Sequence, residues 1–187
     1  MAFKQMIVDA DICIKIGSSE KYPFTEILFP LIAKKVYIHT VVYEEVTFPF
    51  SAKRQLDNLI ESGVLEIIDE KNLSETEKIL YASTYKNLAE VMMNKNNPHK
   101  NKGEVCSLAM AKVKAIPVFA TDEKDLQPII DAKLNTGMAN ISCYRIIDII
   151  YMIKNGELDI LNRKQAKILW ALSGKSKKIC DNEIWPI

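Results

Sequence analysis

The chain has only two histidines and four cysteines, and neither set is spaced to hold zinc. Cys13, Cys106, Cys143 and Cys180 lie far apart with no CxxC pair, and His39 and His99 complete no ligand pattern. Each cysteine sits among apolar neighbours, so buried, reduced thiols and a reducing compartment are expected. Long apolar runs are missing too. No window approaches the ~20 residues of a membrane span, and MAFKQMIVDAD meets charge before any stretch of signal-peptide length. A cytoplasmic protein with no membrane partner is the expectation. An excess of one charge is also absent. With a net charge of +1, a nucleic-acid partner would have to be served by a local basic face. Neither an internal repeat nor a dividing linker is present.

What is present is the balance of a packed globular protein: 187 residues, 48% hydrophobic and 26% charged. Met6 to Val8 is a short apolar run ending in Asp9 and Asp11, the mark of a buried parallel strand whose polar end opens onto a site. A helix should follow it. Helical spacing over Pro23 to Lys35, with a kink at Pro30, leads to a strand at Val36 to His39. Thr40 is placed to cap a helix carrying Glu44 and Glu45, and another helix runs from near Ser51 to Gly63. Val64 to Ile68 is strand-like. Ser74 to Glu77 has capping-box form ahead of a helix that runs out near Met93. The polar NKNNPHKNKG reads as a loop, Glu104 to Lys114 as a helix, and Pro117 to Ala120 as a strand. Ala139 to Cys143 is a further strand candidate, followed by helices over Tyr144 to Lys154 and Asn162 to Leu172 and an irregular tail.

Strands alternating with helices imply a three-layer α/β/α fold on a central, mainly parallel sheet. Ligands bind such sheets beyond the carboxyl ends of the strands, where Asp9, Asp11 and Asp122 fall. Asp9, Glu45, Glu104 and Asp122 are remote in sequence and convergent in this fold. Clustered carboxylates repel and raise each other's pKa unless a cation neutralises them. An all-oxygen set suits Mg²⁺ or Mn²⁺, which can activate a water for in-line attack on phosphate. Of the adjacent Glu44 and Glu45, only one can face such an ion, because neighbouring helix residues point about 100° apart. Glu45, beside the stripe of Val41 and Val42, is the choice.

IVDADICI, VYEEV, NKGEVCSLAMA and VFATDEKDL, in this order, resemble the four acidic motifs of the PIN domain. The resemblance spans about residues 5 to 150. It implies a metal-dependent endoribonuclease, of the kind found as toxins of toxin and antitoxin pairs and in RNA processing. Asp9, Glu45, Glu104 and Asp122 would be its catalytic residues, with Asp9, Glu104 and Asp122 on the metal. Asp11 stands where many members carry Ser, Thr or Asn, and it and Asp125 are candidates to support the ligands from behind. The partners implied are RNA, an antitoxin protein and a second copy of the chain. Residues 1–155 would form the nuclease domain and 156–187 a helical extension packed on it.

Plainer readings stand beside these. Glu104 could simply compensate a helix N-terminus, and Asp125 could be an N-cap. Lysines and asparagines from Asn94 to Lys102, Lys53 with Arg54, and Lys164, Lys167, Lys175, Lys177 and Lys178 could track an RNA backbone or merely be solvated. Tyr81 and Tyr85 fit a core-facing helix better than a base-stacking one. Two other functions stay open. Asp9-Ala10-Asp11-Ile12-Cys13 also resembles the opening of haloacid-dehalogenase-like phosphatases, in which Asp9 would attack phosphate. The third is a PIN-like module that binds RNA or protein without cutting.

Overall fold

The apolar run ending at Asp9 is the middle of the sheet. In the computed structural model, which describes residues 3–94, 97 and 99–186, Phe3–Val8 forms β1, with Met6, Ile7 and Val8 fully buried. Ala33–His39 (β2) and Leu65–Ile68 (β3) lie on one side of it, Val118–Ala120 (β4) and Ser142–Tyr144 (β5) on the other. The order is β3-β2-β1-β4-β5, and every pairing is parallel. Parallel neighbours require crossover helices, which cover both faces.

Side chains alternate across a strand. Met6 and Val8 accordingly join one apolar cluster while Ile7 joins a second. The first cluster is built with α1 (Ala10–Gly17), α2 (Phe24–Ile32), α4 (Phe50–Glu61), α8 (Ile146–Lys154) and α9 (Arg163–Leu172). The second takes α5 (Glu75–Met92), α6 (Lys102–Val113) and α7 (Leu126–Lys133). The short α3 (Thr40–Glu45) leaves the end of β2 and packs on α6. The architecture is three-layer α/β/α, as expected from the sequence. No helix among the described residues is long and apolar enough to cross a membrane.

Several boundaries differ from the sequence expectation. The second helix ends at Ile32 and β2 begins at Ala33, not Val36, because Lys34 and Lys35 point outward and mask the strand's start. His39, not Thr40, caps α3: its Nδ1 accepts the Val41 N–H at 3.2 Å. Histidine is outside the usual set of caps, so its residue type does not announce this role. The last strand is Ser142–Tyr144, not Ala139–Cys143, and α8 starts at Ile146. The tail is more regular than expected, with a helical turn at Lys177–Ile179 and a π-turn at Cys180–Ile184. Ala166, Leu169, Trp170, Cys180 and Ile184 share a core with Ile146, Ile149, Ile150 and Ile153 of α8. All four cysteines are free; Cys143 is half-buried and the others are buried.

Candidate active site

From β1 the chain proceeds outward through β2 and β3, then crosses back to β4 on the other side of β1. The crossovers therefore leave β1 and β4 in opposite directions, which opens a crevice at their carboxyl ends. Asp9 follows β1, and Thr121 and Asp122 follow β4. The Asp9 N–H donates to the Ala120 carbonyl at 2.9 Å, and the Thr121 hydroxyl reaches the Asp9 carboxylate at 3.4 Å. Asp9 is 2% exposed and Asp122 6%. They are the only buried carboxylates among the described residues.

The acids around this crevice share one electrostatic field. Burial pushes the Asp9 carboxyl well above its ordinary range, and the charges of Glu104, Asp11 and Glu123 push it further. Glu104, in the first turn of α6, is raised by burial and then by Glu123, Glu45 and Asp11. Glu45 ends α3. It is exposed overall, yet a Cβ built on Gly103 would stand 2.8 Å from its Oε2. Its pKa is raised by burial against the opposing pull of Lys102. Glu44 instead acts on Lys53, so Glu45 is the member of the pair on the Gly103–Glu104 side.

Asp122 has a different environment. Lys175 lies 2.9 Å from both its oxygens and Lys15 lies 3.1 Å from one. Lys15 also holds Asp11 at 2.7 Å, which gives Asp11 a partner other than a ligand residue. Asp125 takes the N-cap position of α7, exposed and without a side-chain cap bond. With its carboxylates so engaged, the chain brings no group of three His, Cys, Asp or Glu side chains within reach of one ion among the described residues. The donor chemistry nonetheless fits a hard divalent cation. Asp9 is buried with only the Thr121 hydroxyl and the Ala10 backbone N–H as donors and, among the described residues, no ion-pair partner, amid acids that repel it. An ion bridging to Asp122 would have to compete with the two lysines.

Glu123 and Lys15 border the candidate site without a sequence reading that placed them there, and Lys175, a candidate phosphate contact in the sequence, instead pairs with Asp122. The i, i+4 spacing of Asp11 and Lys15 was a usable signal; a contact between residues 122 and 175 has none. Of the basic candidates, Lys53 sits over the Tyr43 ring at 3.0 Å. Lys167 and Arg163 pair with Asp181. Arg54, Lys164, Lys177 and Lys178 are exposed, and Lys95 and Asn96 lie outside the described residues. Tyr81 is buried and stacks against His39 and Tyr85, as a core-facing helix requires. Comparison of the chain with family models, curated proteins and solved structures gives no match, so the reading of the site rests on its residues and their geometry.

Proposed function

We propose that the chain is a metal-dependent endoribonuclease of PIN-like type, with Asp9, Glu104 and Asp122 as the ligands of one Mg²⁺ or Mn²⁺ and Glu45 as the base. The observation that supports this reading is the mutual repulsion of Asp9, Glu104 and Glu123 at the switch point where Asp122 also ends β4, with Asp9 buried and, among the described residues, in no ion pair. Buried carboxylates that raise each other's pKa cost stability, and a fold keeps such a cluster where its charge is used. A bound divalent ion lowers the pKa of its water and offsets charge gathering on phosphate.

The chain's own groups do the rest. Glu45, its pKa raised by burial, takes the proton of the attacking water as the new O–P bond forms. The bond from phosphorus to the leaving oxygen breaks, and that oxygen takes a proton from solvent. Lys175, once released from Asp122, is free to face the phosphate, while Lys15 keeps its pairing with Asp11. The phosphatase alternative is weaker, because Asp9, being 2% exposed and held toward its protonated form, is a poor nucleophile.

The purified protein is expected to cut single-stranded RNA with Mg²⁺ or Mn²⁺ and to stop in EDTA, with the Glu45→Gln variant slowed at least a hundredfold. Full cleavage in EDTA rules out the metal site. Tight RNA binding with no cutting under any divalent ion would assign a non-cutting module instead.

A further inference from the structure

A cleft of about 380 Å³ adjoins Asp122 and is lined in part by Lys175, Ser176 and Ile179 from the segment after α9. Its volume falls within the ~300–1,000 Å³ of small-ligand sites. One wall is apolar, made by Ile147, Trp170 and Ile179. Trp170 is fixed there: its indole N–H donates to the Ser176 carbonyl at 2.8 Å, and Lys175 lies 4.9 Å above its ring. The lining is also cationic. Lys124 and Arg145 belong to it, and neither has a carboxylate within ion-pair distance among the described residues. Glu183 is the one acid in the lining besides Asp122, and Asp122 is already matched by Lys175 and Lys15.

We infer that this cleft takes one nucleotide of the RNA strand, its base against the apolar lining of Ile147, Ile179 and the edge of Trp170 and its phosphate on Arg145 and Lys124. Two cations without an ion-pair partner among the described residues, in one cleft with apolar side chains and an indole, match a ligand that is anionic at one end and a flat ring at the other. Arg145 offers a planar fork for two phosphate oxygens, and Lys124 a point charge. Because Asp122 also lines the cleft, the next phosphate of the strand falls near the acids, where a bound divalent ion would offset the repulsion. The inference rests on the nuclease reading of those acids and names where the substrate strand lies. It also puts residues beyond 155 to work, since Trp170 and Lys175 both come from that segment.

Adenosine 5′-monophosphate is titrated into the full chain in EDTA, so that binding is read without cleavage, and the two indole N–H signals are followed by NMR. Trp185→Phe assigns them. The Trp170 signal is expected to move and saturate, and Arg145→Gln and Lys124→Gln are each expected to weaken binding at least fivefold while Mn²⁺ affinity stays as in the wild type. Lys124 is exposed, so its variant folds even if the Arg145 change does not. The inference is overturned if neither indole signal moves, or if both variants bind as the wild type does. It is equally overturned if inorganic phosphate binds as tightly as the nucleotide, for then the apolar wall contributes nothing. Nucleotide binding with the expected variant losses, but without RNA cleavage under Mg²⁺ or Mn²⁺, upholds the cleft and sinks the nuclease reading.

Discussion

The buried Asp9 carboxylate is costly to the fold. Its folded pKa is raised above the ordinary 3.8, chiefly by burial. Between those two values the folded state keeps a proton that the unfolded state has lost, so stability falls as pH rises through the window and then levels off. Asp9→Asn removes the dependence. In EDTA the variant is expected to melt higher than the wild type near neutral pH, with the difference shrinking toward pH 4 and the RNA-cutting activity gone. A variant that melts lower at pH 7 would mean that the Asp9 charge is already compensated. Gly103 tests the same crevice from the opposite wall. Alanine favours a helix over glycine by about 1 kcal/mol, yet its Cβ would meet Glu45 Oε2 at 2.8 Å and Val42 Cγ2 at 3.0 Å. The Glu45 end can swing away, so Gly103→Ala is expected to leave stability within about 1 kcal/mol while cutting activity at least tenfold. If Glu45 is what is displaced, adding Gly103→Ala to Glu45→Gln should cost nothing further.

At the scale of an element, α3 is six residues long and carries Glu45, so its position depends on its cap. Nδ1 of His39 accepts the Val41 N–H, and Nε2 lies 3.3 Å from Glu70 and 3.4 Å from the Tyr81 hydroxyl. That arrangement needs a neutral ring with its proton on Nε2, and burial lowers the His39 pKa accordingly. A lowered histidine pKa costs stability as pH falls below the unfolded value of 6.5, because only the unfolded state then takes the proton. His39→Ala is expected to cost about 2 kcal/mol through the lost cap and the space left behind. His39→Asn, with a good capping side chain, should recover part of it and lack the loss of stability on acidification. Equal melting of both variants would show that the cap contributes nothing. The fold was legible in the sequence because strand and helix periods differ sharply: MIV before Asp9 and VFA before Thr121 could only be buried strands. The cap and the start of β2 were not, since His39 and Lys34 to Lys35 take roles that their residue types do not announce. The acids were legible as strand ends and helix starts. Their present partners were not, because Lys175 meets Asp122 across 53 positions, a separation that no local spacing encodes.

That long-range pair joins the tail to the crevice and makes the state of the site a property of the whole molecule. Lys175 stands 2.9 Å from both oxygens of Asp122, whose side chain is 2% exposed, while the lysine's own is 22% exposed. Breaking a buried pair leaves a charge without compensation, which commonly costs 3–5 kcal/mol. Here the loss should be smaller, because Lys15 remains 3.1 Å away, and about 1–2 kcal/mol is the expectation for Lys175→Met in EDTA. The same substitution removes the cation that an arriving Mn²⁺ would have to displace. Two like charges a few ångströms apart near a protein surface repel by a few kcal/mol before screening; after screening, a gain of about 1 kcal/mol, roughly fivefold in affinity, is the reasonable size. Lys175→Met should therefore melt lower than wild type in EDTA, bind Mn²⁺ more tightly by calorimetry, and regain its lost stability on metal addition. Lys175→Arg keeps the charge and should do none of these. Tail packing alone would predict the opposite pattern, since Lys175 also lies over Trp170: both variants would loosen the segment, and neither would change metal affinity. Should Lys175→Met bind Mn²⁺ more weakly than wild type, Asp122 is not a ligand, and the pair is a structural tie between β4 and the tail.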